Sequence, residues 1–149
     1  LRPYGDDVRG YVVGLERLMV SALGEVGVEA QVIDGLTGVW TAGPPPTASP
    51  DPAAARKIGS IGVHVSRGVT THGFAINVNN DLQPFEWIVP CGIEGVRMTS
   101  VCRELGSPAD MDSFCGVVRR RFGELFARRA VEVSSDQLLS GAGGTAAVR

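Results

Sequence analysis

A chain of 149 residues with 14 basic and 16 acidic side chains suits one ordinary domain, and folding at that size buries roughly 70% of the unfolded surface. The formal charge of −2 argues against the basic footprint of a nucleic-acid binder, and a hydrophobic content of 44% argues against disorder. No apolar run reaches the roughly 18 residues that a membrane span needs.

In chain order, Asp6 and Asp7 are positioned to cap a helix in which Val8, Tyr11, Val12, Leu15, Leu18, Met19 and Ala22 recur at helical spacing. Gly24 and Gly27 close it. Residues 29–33 and 38–41 read as short strands joined by the hairpin signal Asp34-Gly35. Residues 43–55 hold five prolines and read as an exposed loop. Two longer strands follow over 57–66 and 69–78. In the first, Ile61, Val63 and Val65 alternate against Ser60, Gly62 and His64. In the second, His72, Phe74, Ile76 and Val78 alternate against Thr71, Gly73, Ala75 and Asn77. Each strand thus carries a face of small residues, which allows a packed helix or a ligand to approach the backbone closely. Thr99 is placed to cap a short helix ending at Leu105. Ser107-Pro108-Ala109-Asp110 predicts the start of a last helix whose stripe is Met111, Phe114, Cys115, Val118, Phe122, Leu125 and Phe126. Residues 134–149 read as a frayed tail.

Three cysteines without paired spacing make no disulfide framework, and two histidines with no CxxC make no zinc site, so reduced thiols in a cytosolic setting are expected. Cys102 and Cys115 fall on apolar helix faces and read as small core residues. Cys91 lies between Pro90 and Gly92 at the end of an apolar segment, where a turn is expected. Such a turn either presents a thiol into a cleft or simply buries it. The basic residues are 13 arginines and one lysine, Lys57. The abundance of Ala, Gly, Val, Pro and Arg suggests a coding bias that would supply arginine wherever only charge is needed. A lysine that survives it is a candidate for proton exchange, which a guanidinium cannot perform. Lys57 opens a strand, so it reads either as a solvated strand-end lysine or as a partly buried proton carrier. The run Arg119-Arg120-Arg121 with Arg128 and Arg129 reads as a solvated helix face or as a dock for an acidic partner.

Several blocks together resemble a known family. They are Lys57-Ile58-Gly59-Ser60-Ile61-Gly62, His72-Gly73-Phe74-Ala75-Ile76-Asn77-Val78, Asp81-Leu82 with Pro84-Phe85, and Ile88-Val89-Pro90-Cys91-Gly92-Ile93. Thr99-Ser100, Glu104-Leu105-Gly106 and Gly38-Val39-Trp40 also fit. In this order they resemble the lipoyl(octanoyl) transferases of lipoate biosynthesis, from the first helix to about Leu105. The resemblance implies an α/β (α+β) fold with a mixed sheet and packed helices, shared with lipoate and biotin protein ligases. It implies a catalytic domain over residues 1–133 and a tail over 134–149. The implied reaction moves an octanoyl group from acyl carrier protein, through a cysteine thioester, to a lysine of a lipoyl domain. Cys91 matches the nucleophile and Lys57 its partner. Ser60, Ile61, Gly62, Gly73, Phe74 and Ala75, with His72, match acyl-contacting segments. The implied partners are octanoyl-acyl carrier protein, the lipoyl domains of 2-oxoacid dehydrogenases and the glycine cleavage H protein, with no nucleic acid and no membrane. No metal or other cofactor is implied, and the expected location is cytoplasmic. Family members carry a glycine-rich segment upstream of the first helix, with an Arg-Gly-Gly start and a Tyr/Trp-His-Gly-Pro-Gly stretch. This chain begins at Leu1, after that point, so a fragment lacking the N-terminal strands is expected. Two alternatives stay open: a lipoate–protein ligase of the same fold that activates its substrate with ATP, and a non-catalytic acyl- or lipoyl-domain-binding fragment.

Overall fold

A carboxylate starts the first helix. Asp7 accepts a hydrogen bond from the Gly10 N–H at 2.9 Å and caps α1 (Val8–Glu25). Leu15, Leu18, Met19, Ala22 and Leu23 are buried along it, while Val8 at its start is exposed. The computed structural model describes residues 1, 5, 7–44, 54–88 and 95–141. Asp6, residues 45–53 of the proline-rich loop, the Pro90-Cys91-Gly92 turn and residues 142–149 of the expected tail lie outside the described residues.

Strands β1 (Ala30–Ile33), β2 (Leu36–Thr41), β3 (Lys57–Ser66) and β4 (Val69–Ile76) form one sheet in the order β1-β2-β3-β4. Each neighbouring pair is antiparallel. Asp34-Gly35 turns β1 into β2, as its sequence predicts. Arg67 and Gly68, both at positive φ, form the two-residue turn between β3 and β4, a backbone twist that suits a tight hairpin. The four-stranded sheet is thus antiparallel rather than mixed, and one isolated parallel bridge joins Lys57 to Met98, which lies outside the strands. α1 lies against the sheet, with α3 (Met111–Phe126) beside it. The Tyr11 and Phe126 rings meet at 5.6 Å between the two helices. Leu15, Leu18, Met19 and Leu23 pack with Val39, Ile58, Val78, Val101, Phe114 and Phe126 into one core. This two-layer arrangement buries the apolar stripe of α1 between the sheet and α3. No helix among the described residues is long and apolar enough to cross a membrane.

Several local expectations are corrected. β4 stops at Ile76: the Asn77 N–H still donates to the Ile58 carbonyl in register, but the Asn77 carbonyl is taken by the Val101 N–H and leaves the ladder. His72, within β4, has φ of 66° and is exposed, so the regular alternation predicted through it is broken there. α2 (Val101–Leu105) is capped by Ser100, not Thr99; the Thr99 hydroxyl instead binds the Glu104 carboxylate. α3 begins at Met111 with Asp110 as its cap, accepting from the Asp112 and Ser113 N–H groups. Ala109 is held outside the helix by reciprocal hydrogen bonds with the Asn79 side chain. Cys115 is exposed rather than in the core, and Cys102 is half-buried. The α3 stripe is wider than its cover: only Phe114 and Phe126 are buried, while Met111, Phe122 and Leu125 stay open. Ser135–Gly141, within the expected tail, form a short helix, α4, where Ser134 and Gln137 bond each other's N–H groups in a capping box.

Candidate active site

Lys57 is the first residue of β3, and only 1% of its surface is exposed. A lysine this deeply buried is unusual, since ammonium groups are seldom fully buried. Its Nζ donates to the Thr37 carbonyl at 2.9 Å and lies 5.2 Å from the centroid of the Trp40 ring, over its π face. The backbone is held from both sides. Trp40 is its register partner in β2. Opposite, the Lys57 N–H donates to the Arg97 carbonyl at 2.8 Å, and the Thr99 N–H donates to the Lys57 carbonyl at 2.9 Å. Arg97–Thr99 follow closely in sequence on the Pro90-Cys91-Gly92 block, so the chain that carries Cys91 returns beside Lys57. Cys91 itself lies outside the described residues.

The segment beside Lys57 is braced by polar groups. Arg56 binds Glu104 at 2.7 Å, and Glu104 also accepts from Thr99. Asn77 donates its amide to the Thr99 carbonyl at 3.0 Å. These residues fix the backbone around Lys57 in place of solvent.

The seven residues proposed to contact substrate fall together. The β3–β4 register sets Ser60 against Ala75, Ile61 against Phe74 and Gly62 against Gly73. With His72 they line one open cavity of about 800 Å³, closed on its other side by Tyr11 and Leu15 of α1 and Phe122 of α3. Lys57 is not among the residues lining this cavity. A second apolar groove of about 460 Å³ continues along β4 and α3, past Ile76, Val78, Phe114 and Cys115. The arginine run of α3 faces carboxylates of its own chain: Arg119 pairs with Glu132, and Arg120 and Arg121 pair with Glu25 at the end of α1.

Sequence reasoning missed Glu16. It is buried, and its Oε1 accepts from the Gly38 N–H at 3.2 Å. The signal was present: Glu16 stands three residues before Met19 and four after Val12, so an acid occupies a position of the apolar stripe.

The catalytic-domain model for lipoyl protein ligases A and B matches residues 1–123. Curated octanoyltransferases are similar over much of the chain. That of Koribacter versatilis is 39% identical over 125 residues, covering 84% of this chain and 46% of its own length. That of Solibacter usitatus is 39% identical over 147 residues, covering 99% of this chain and 57% of its own. That of Myxococcus xanthus is 45% identical over 119 residues, covering 74% and 32%. The chain spans about half the length of the first two of these relatives. A solved structure of a bipartite lipoate protein ligase and its E2 lipoyl domain from Thermoplasma acidophilum aligns with a TM-score of 0.60 and 16% identity. That alignment covers 89% of this chain and 52% of the other, and it shows the shared fold. The chain belongs to the family of the lipoyl protein ligase A/B catalytic domain, and the curated relatives it resembles are octanoyltransferases.

Proposed function

We propose that the protein transfers an octanoyl group from acyl carrier protein to a lysine of a lipoyl domain through a thioester on Cys91. Lipoyl domains of 2-oxoacid dehydrogenases and the glycine cleavage H protein are the proposed acceptors. The single observation that carries this reading is Lys57, the chain's one lysine, buried beside the segment that follows Cys91. The similarity to octanoyltransferases supports the acyl group named.

The chemistry balances with one lysine. Thiolate, not thiol, is the nucleophile, and an ammonium beside it favours the thiolate. Cys91 Sγ attacks the donor thioester carbonyl, the new C–S bond forms, and the bond to the carrier sulfur breaks. The departing thiolate takes a proton from the Lys57 ammonium. Lys57 is then a neutral amine. The incoming neutral lysine amine attacks the Cys91 thioester, an amide forms, and Cys91 leaves as thiolate. Lys57 takes the proton shed by the amine nitrogen, which restores the starting pair. Replacing one thioester by another makes the first half nearly neutral in energy. Ser60, Ile61, Gly62, His72, Gly73, Phe74 and Ala75 are the proposed walls of the acyl site, since glycine and alanine leave room for a chain to lie on the strands.

Intact-mass analysis of the full-length protein after mixing with octanoyl-acyl carrier protein tests this. Wild type should gain one octanoyl group, and Cys91→Ser should gain none. A Cys91→Ser protein labelled as fully as wild type overturns the nucleophile. Lys57→Arg keeps a positive charge but cannot accept a proton, so it should still acylate and fail to pass the group on. Normal turnover by Lys57→Arg overturns the base assignment. An ATP requirement for transfer favours the ligase reading.

A further inference from the structure

We infer that Glu16 is a positioning residue for Lys57, acting through the peptide unit that joins Thr37 to Gly38. This rests on the role proposed above for Lys57. The Glu16 carboxylate accepts the Gly38 N–H at 3.2 Å, and the Lys57 Nζ donates to the Thr37 carbonyl at 2.9 Å. That N–H and that carbonyl are the two ends of one planar trans peptide, so they point in opposite directions. One rigid unit therefore stands between a buried acid and a buried amine. Its dipole is oriented favourably by both: the N–H end meets the carboxylate and the carbonyl end meets the ammonium.

Gly38 makes this device necessary. Its φ is 108°, and a β-carbon there would stand 2.5 Å from the Gly59 carbonyl oxygen and 2.9 Å from Lys57 Cε. Only glycine fits against the Lys57 side chain and the Gly59 carbonyl. Glycine also leaves the adjoining peptide plane free to rotate. Glu16, fixed on α1 between the core residues Leu15 and Leu18, removes that freedom. The carbonyl it aims accepts from an ammonium and from a neutral amine alike. Lys57 is thus held in one place in both protonation states that the proposed reaction needs.

The test uses the full-length protein and two readouts. Selective 15Nζ labelling of lysine, assigned by loss of the signal in Lys57→Arg, reports the Lys57 amine without any turnover. Steady-state kinetics report kcat and KM for the acyl donor. Glu16→Leu keeps the volume and removes the acceptor, so it should move the Lys57 Nζ signal and lower kcat about 10- to 100-fold, with little change in KM. Glu16→Gln keeps an oxygen that accepts the Gly38 N–H and should restore kcat and the signal. If Glu16→Leu does not fold, Glu16→Asp, which withdraws the acceptor by one methylene, is read the same way. An unmoved Nζ signal in a folded Leu or Asp variant overturns the inference. So does a Glu16→Gln protein as impaired as Glu16→Leu at equal thermal stability. Lys57→Arg turnover, measured alongside, judges the base role separately: normal turnover removes that role, and the Nζ signal alone then decides the positioning.

Discussion

Gly38 and Lys57 are packed so closely that a β-carbon on the glycine would lie 2.9 Å from Cε of the lysine and 3.4 Å from its Nζ. The clash is compounded by φ of 108°, a conformation that side chains disfavour. Gly38→Ala is therefore expected to lose about 2–3 kcal/mol of stability. In a domain of this size that lowers Tm by about 4–12 °C. Turnover measured well below the new Tm should fall further than unfolding explains, because Lys57 must move. A variant with unchanged Tm and unchanged kcat would contradict this packing.

Gly62 and Gly73 stand opposite each other in the β3–β4 ladder, and a β-carbon on either meets nothing within 4 Å. Neither φ is positive in the left-handed range, so alanine is allowed at both. Gly62→Ala and Gly73→Ala should leave stability unchanged or raise it by up to about 1 kcal/mol, since strand glycine is entropically costly. Gly73→Val should fill the cavity floor instead. Competition between hexanoyl- and octanoyl-acyl carrier protein should then shift about tenfold toward the shorter chain, about the discrimination that one or two methylenes supply in an apolar pocket. An unaltered ratio would remove this cavity from the acyl site.

Glu25 ties the end of α1 to α3. The hydrogen bond from Arg120 is the chief cause that holds its carboxyl below the ordinary value near 4.5, with Arg121 adding to it and desolvation opposing. A carboxyl depressed in the folded state contributes stability that is fully present above its unfolded pKa and is lost as pH falls through the folded one. Tm should fall with acid below about pH 4.5. Glu25→Gln should be less stable than wild type at pH 7 and should show a shallower acid limb. The pair is exposed, so 1 M salt should shrink the difference. Parallel Tm–pH curves for the two proteins would exclude Glu25 as a source of the acid sensitivity.

What the sequence determined by itself is what short-range periodicity and block order encode. The α1 stripe, the hairpin at Asp34-Gly35, the alternation of β3 and the ordered blocks from Lys57 to Gly106 all follow from neighbours a few positions apart. The starts of α2 and α3 lie one and three residues beyond the positions that cap rules predict, because Thr99 and Ala109 are drawn to Glu104 and Asn79, partners that those local rules do not see. Composition singled out Lys57 but left it either solvated or buried. Only the tertiary structure decided that, since Thr37, Trp40 and Arg97 reach it from other strands and segments. The same holds for Glu16 and Cys115. Both occupy stripe positions, yet the acid is buried because β2 offers it a backbone N–H, and the cysteine is exposed because nothing among the described residues covers that side of α3. Periodicity states which residues can share a face. Which part of that face is covered, and by what polar partner, depends on elements brought together from far along the chain.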